Sequence, residues 1–144
     1  MIVGIGCDLA NINRFEKALA KFGGRFVNRA FSEREKAELA RRERLSPKEH
    51  ACAAAKRFAA KEACTKALGT GFRDGIFMRD IEIVHQPSGK PELYLQNGAR
   101  RRLEEICGGA AFKIHVTMTD DYPWAQALSL IHISEPTRPL YISY

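Results

Sequence analysis

The sequence predicts one domain of mixed α and β content, built around one long helix. Three observations lead there. The chain opens on a β-branched, glycine-containing run at residues 2–7. Residues 47–68 contain only good or tolerable helix formers after a proline in the first turn, many of them alanine. Beyond residue 80 the apolar pattern shifts from helical spacing to short strand-like runs. At 144 residues the chain has the size of a single domain with a core of its own.

Taken in order, residues 2–7 read as a strand in which Gly4 and Gly6 admit close approach of another backbone, with Asp8 at its end. Asn13 followed by Glu16 has the form of a capping box and opens a helix to about Phe22. Phe15, Leu19 and Phe22 fall at helical spacing, and Gly23-Gly24 ends the helix. Arg14, Lys17 and Lys21 lie mostly off that apolar stripe and give a basic outer side. Ser32 with Glu35 is a second box, starting a helix to about Arg42. Ser46, Pro47 and Glu49 start the long helix, about 33 Å in length, which Gly69 stops. Residues 81–85 and 92–95 read as a hairpin around Pro87-Ser88-Gly89-Lys90-Pro91. Asn97 caps a short helix to Ile106, closed by Gly108-Gly109, and strands follow at 112–118 and from Trp124 to about Leu128.

Lys and Arg number 23 against 17 Asp and Glu, a net charge of +6 that favours acidic partners without choosing among them. The basic and aromatic residues are not interleaved as in nucleic-acid-binding surfaces, so no nucleic-acid partner is expected. The cysteines at 7, 52, 64 and 107 have neither C-x-x-C nor zinc-ligand spacing and read as free thiols. No basic leader precedes the first strand, and no apolar run approaches membrane-spanning length. These features lead to the expectation of a cytoplasmic protein with no membrane partner.

The chemistry concentrates in Arg57-Phe58-Ala59-Ala60-Lys61-Glu62-Ala63-Cys64-Thr65-Lys66-Ala67, one carboxylate among three cations. Phe58, Glu62 and Lys66 share a helix face. An exposed Glu62–Lys66 ion pair is the simplest reading, but Phe58 and the alanines point to partial burial, where a carboxylate requires a cation. Asp8 reads either as a turn or cap residue or as a second hard oxygen ligand. Two carboxylates suit Mg²⁺, which keeps waters and lets substrate phosphates fill its other positions. His115, before Thr117 and Thr119, is either a structural histidine or a proton acceptor. Gly69-Thr70-Gly71 and Gly89-Lys90-Pro91 are loop signals that match neither phosphate-binding nor dinucleotide fingerprints, and Arg100-Arg101-Arg102 reads as a solvated helix face.

Gly4-Ile5-Gly6-Cys7-Asp8 with Arg14, Arg57–Ala63 with Lys66-Ala67, Gly69-Thr70-Gly71, Gly89-Lys90-Pro91 and His115–Asp120 occur in one order over residues 1–128. Together they resemble the bacterial holo-acyl-carrier-protein synthases, which are 4'-phosphopantetheinyl transferases. The resemblance implies an α+β fold, an antiparallel or mixed sheet against one long and several shorter helices. It implies transfer of the phosphopantetheine arm of coenzyme A to a serine of apo acyl carrier protein, releasing adenosine 3',5'-bisphosphate, in support of fatty acid biosynthesis. Asp8 and Glu62 would bind Mg²⁺ at the coenzyme A diphosphate, with Lys66 against the same phosphates. Arg57, Gly89, Lys90, Pro91 and His115 would hold the nucleotide end. The serine proton would pass to a metal-ordered water near Asp8 or to His115. The small bacterial members form homotrimers with sites between subunits. Acyl carrier proteins are acidic, so Arg14, Lys17, Lys21 and Arg25 form the expected docking face.

The segment Leu128–Arg138 resembles a translated transposon-type sequencing adapter. Residues 1–128 are therefore expected to be the transferase domain and 129–144 a non-native tail. Ser129–Ile133 keeps some strand character and would at most replace part of a lost edge strand.

Overall fold

The computed structural model describes residues 1–134. Strand β1 (Ile2–Asn11) leads into α1 (Ile12–Phe22), α2 (Gly24–Ala30), α3 (Glu33–Leu45) and the long α4 (Pro47–Leu68). A 3₁₀ turn (Met78–Asp80) precedes β2 (Ile81–His85) and β3 (Pro91–Leu95). Then come α5 (Asn97–Cys107), β4 (Phe112–Asp121) and β5 (Trp124–Ile133). The strands form an antiparallel three-stranded sheet in the order β1-β5-β4 and a separate β2-β3 hairpin. This is the expected α+β arrangement.

Helix α4 lies across one face of the larger sheet. It buries Ala59, Ala60, Ala63 and Ala67 against Ala10 of β1 and Ala125, Ala127 and Ile131 of β5. Small residues on both sides let the backbones come close. A Cβ added at Gly4 would stand 2.1 Å from the Ala67 carbonyl oxygen, and one at Gly6 would stand 2.0 Å from that of Ala63. Only glycine fits there. Phe15 of α1 packs edge-on against Phe58 of α4, with ring centroids 5.1 Å apart, and against Phe26 of α2.

The capping boxes explain two helix starts. The Ser32 hydroxyl accepts from the Glu35 amide while Glu35 accepts from the Ser32 amide, and Ser46 accepts from the Glu49 amide ahead of Pro47. Gly69 closes α4 in a left-handed conformation, φ +80°.

Five expectations are corrected. β1 continues through Asp8 to Asn11, and Asn11, not Asn13, caps α1 by accepting from the Asn13 amide. Gly23-Gly24 ends α1 as expected, Gly23 turning at φ +51°, but a further helix, α2, begins at once. Gln96 holds the N-cap position of α5, while Asn97 is its first residue and donates to Asp80. Arg102 is only partly solvated, because its Nε donates to the Leu68 carbonyl at the end of α4, 3.0 Å away. Finally, residues 129–133 replace no edge strand. They continue β5, the central strand, with Ser129 and Ile131 buried between β1 and β4. Alternation of the run with buried Ala125 and Ala127 keeps the same face toward α4. The rest of the expected tail, 135–144, lies outside the described residues.

Candidate active site

Alternation along β1 places Gly4, Gly6, Asp8 and Ala10 on the face that α4 covers, and Ile5, Cys7 and Leu9 on the open one. The glycine contacts with Ala63 and Ala67 bring the strand down onto the helix, and Asp8 follows two residues later on that same face. Lys66 Nζ donates to Asp8 Oδ1 at 3.1 Å and to the Cys7 carbonyl at 2.9 Å. Glu62, one turn before Lys66 and half-buried, has no ion-pair partner within bonding distance among the described residues. Burial, and after it the charge of Asp8, push its carboxyl above the usual range, with Lys66 pulling it partly back. Thus Lys66 pairs with Asp8 across elements, not with Glu62 along the helix. An under-compensated carboxylate beside a second one is the donor set of a hard cation with few protein ligands, and the two acids fit Mg²⁺ in kind.

The other cations of the segment point elsewhere. Lys61 is fully buried, and its Nζ donates to Glu35 (2.6 Å), the Ile81 carbonyl (2.6 Å) and the Met78 carbonyl (2.9 Å). It fastens α4 to α3 and β2. Arg57 is also buried, donating to the Ala53 carbonyl and lying 3.4 Å from His85 Nδ1, with its Nε unpartnered. Burial, then the Arg57 charge, hold the His85 pKa below its ordinary value. Arg57 therefore does not meet Asp8, Glu62 and Lys66 in this chain.

His115 does not meet them either. It pairs with Leu130, which pairs with Ile5, so all three share the open face of the sheet. Asp8 sits on the helix-covered face, two strands away. Instead, His115 joins Lys90 and Pro91 around a cavity of about 560 Å³ between β3, α5 and β4, with Gly89 at the neighbouring turn. The sequence-derived site thus separates into three places: the carboxylate pair with Lys66, the Arg57–His85 contact, and the Lys90–Pro91–His115 cavity. Arg14, Lys17, Lys21 and Arg25 are all exposed and free of ion pairs among the described residues. Arg29 of α2 lies one turn beyond Arg25 and extends the same basic surface; it was missed because no element was read between Gly24 and Ser32.

A family model described as the 4'-phosphopantetheinyl transferase superfamily matches residues 4–127, a span that contains all of these groups. The chain belongs to that superfamily. A holo-[acyl-carrier-protein] synthase of Sphingopyxis alaskensis is 52% identical over 132 residues, 91% of this chain and 96% of its own length. The crystal structure of a holo-ACP-synthase from Plasmodium yoelii superposes with a TM-score of 0.78 at 33% identity, covering 94% of this chain and 98% of that one. A holo-(acyl-carrier-protein) synthase from Bacillus anthracis, solved in complex with CoA (3',5'-ADP), gives 0.74 at 31% identity over 93% and 99%. As a member of this superfamily the chain is an enzyme, a phosphopantetheinyl transferase.

Proposed function

We propose that this phosphopantetheinyl transferase moves the 4'-phosphopantetheine group from coenzyme A to a serine of an apo acyl carrier protein, with Mg²⁺, releasing adenosine 3',5'-bisphosphate. The observation that carries the reading is that Asp8 lies on the α4-covered face of β1, bonded to Lys66 one turn from Glu62, with Gly4 and Gly6 holding the strand against the helix. Its expected setting is the cytoplasm, in fatty acid biosynthesis.

Asp8 and Glu62 would hold the ion, which when bound neutralises phosphoryl oxygens and orders the diphosphate. The Lys66 ammonium, half-exposed beside Asp8, is placed to turn to an incoming phosphate. The serine oxygen forms a bond to the phosphorus that carries pantetheine, and the bond from that phosphorus to the nucleotide phosphate oxygen breaks. Such a displacement depends on positioning and charge neutralisation more than on covalent catalysis. Of the two proposed proton acceptors, a water beside Asp8 is available within one chain, while His115 can serve only from a neighbouring copy.

A homotrimer with sites between subunits reconciles the separated groups. On its β1 side the open face of the sheet is apolar, with Ile5 60%, Leu9 58% and Trp124 48% exposed, and β1 and β4 are both edge strands. Such a face on a small domain calls for a partner. The basic surface of α1 and α2 suits an acidic carrier protein and should make its on-rate fall with salt.

Intact-protein mass spectrometry of apo acyl carrier protein incubated with the enzyme, coenzyme A and Mg²⁺ should show a gain of one phosphopantetheine, abolished by EDTA. Glu62→Gln should lose transfer by about a hundredfold or more while keeping the wild-type melting temperature, since it removes a charge that faces another carboxylate. Full activity in this variant would overturn the metal assignment.

A further inference from the structure

Residues 12–30 carry five cations, Arg14, Lys17, Lys21, Arg25 and Arg29, and a single acid, Glu16. No cation stands three or four residues from Glu16 along the helix, and it has no ion-pair partner among the described residues. Instead, the turn between β4 and β5 reaches it. Tyr122 places its hydroxyl 2.9 Å from Glu16 Oε1 and 2.5 Å from Asn13 Oδ1. The phenol has one proton to give, and the charged carboxylate is the stronger acceptor. Lys48 Nζ, in the first turn of α4, lies 4.0 Å from the centroid of the same ring. The neighbouring Pro123 carbonyl accepts from the Ile12 amide at 2.7 Å, so the β4–β5 turn holds the start of α1 at two points. Glu16 is thereby turned into the groove between α1, α2 and α3, which it lines with Leu19, Val27 and Leu39, while Arg14, Lys17 and Lys21 stay outside that groove and exposed.

We propose that Tyr122 is a positioning residue for the carrier protein, holding the one carboxylate of α1 and α2 away from the basic surface that an acidic partner meets. The inference rests on the transferase reading above and concerns recognition of the partner, not the chemistry at Asp8, Glu62 and Lys66. Without the phenol's hydrogen bond, Glu16 is free to swing out beside Lys17. There it offsets part of the attraction and faces the partner's acids directly. Charges at such an interface act within a Debye length, about 8 Å at physiological salt, and they change association and its salt dependence more than the chemical step.

The test measures KM for apo acyl carrier protein and for coenzyme A in Tyr122→Phe, Glu16→Gln and the double variant, at low ionic strength. Tyr122→Phe keeps the ring beside Lys48 and loses only the hydroxyl. Its KM for the carrier protein should rise about threefold to fivefold, with kcat within about twofold and KM for coenzyme A unchanged. Glu16→Gln should keep the carrier KM at or below the wild-type value. Adding Tyr122→Phe to it should bring no further rise, because the charge to be held is gone. The rise in Tyr122→Phe should also vanish in about 0.5 M salt. An unchanged carrier KM in Tyr122→Phe overturns the assignment. So does an equal rise on the Glu16→Gln background, which would trace the effect to packing of the turn and not to the carboxylate. Absence of transfer by the wild-type enzyme would instead overturn the transferase reading itself, and the assignment with it.

Discussion

Gly6 governs the distance between the two carboxylates. A methyl group there would stand 2.0 Å from the Ala63 carbonyl oxygen and 2.8 Å from both the Ala67 amide nitrogen and Lys66 Cβ. The strand can accept it only by lifting away from α4, and Asp8 would lift with it. Gly6→Ala should therefore lower stability by about 1–3 kcal/mol or more in chemical denaturation and weaken Mg²⁺ binding measured by calorimetry. Unchanged stability would mean that the strand and helix are not in this tight register. Asp8, Glu62 and Lys66 were legible as residue types suited to a phosphate and a hard cation. Arg57 and Lys61 stand in the same segment but do not share their face. Helical periodicity carries both away from the Phe58–Glu62–Lys66 face, and their burial against α3 and β2 is a tertiary fact.

At the scale of elements, α4 carries the site on one side and its anchor on the other. Lys61 and Glu35 are both fully buried, and Glu35 also accepts from the Ile83 and Ser32 amides. Burial depresses the Lys61 pKa, opposed by the Glu35 charge and hydrogen bond. Removing one partner strands a charge in the core. Lys61→Met should cost about 3–5 kcal/mol by urea denaturation, and Lys61→Met with Glu35→Gln should recover part of it. Equal loss in the single and double variants would mean that packing, not the stranded charge, sets the cost. Helices α3 and α4 were readable because Ser32 and Ser46 announce them through side-chain caps. α2 was not, since a Gly-Gly pair signals a stop and the seven residues after it have no cap of their own. β1 was cut short because Asp8 interrupts the apolar pattern, and β5 because the residues after Leu128 were set apart as a tail; pairing with neighbouring strands satisfies both backbones regardless.

For the whole molecule, the decisive feature is that the C-terminal strand lies in the middle of the sheet. Leu130 stands between Ile5 and His115, so residues past 128 hold β1 and β4 together even if that segment is foreign in origin, as we propose. The trimer proposed above would cover the open face beyond them. Ile5→Lys places a charge at its centre without touching the α4 side. Sedimentation should then show monomers in place of trimers, with transfer lost because the cavity and the carboxylates reside on different parts of each chain. A wild-type enzyme active as a monomer would refute the shared site. By itself the sequence determined the starts of α3 and α4, the close contact of Gly4 and Gly6 with another backbone, and the residues suited to a metal and phosphates. These depend on local conformation, residue size and chemical type. Only the tertiary structure decided which of those residues meet, because that follows from strand order and from which sheet face α4 covers. Both are set by contacts between segments far apart in the chain, and local pattern does not record them.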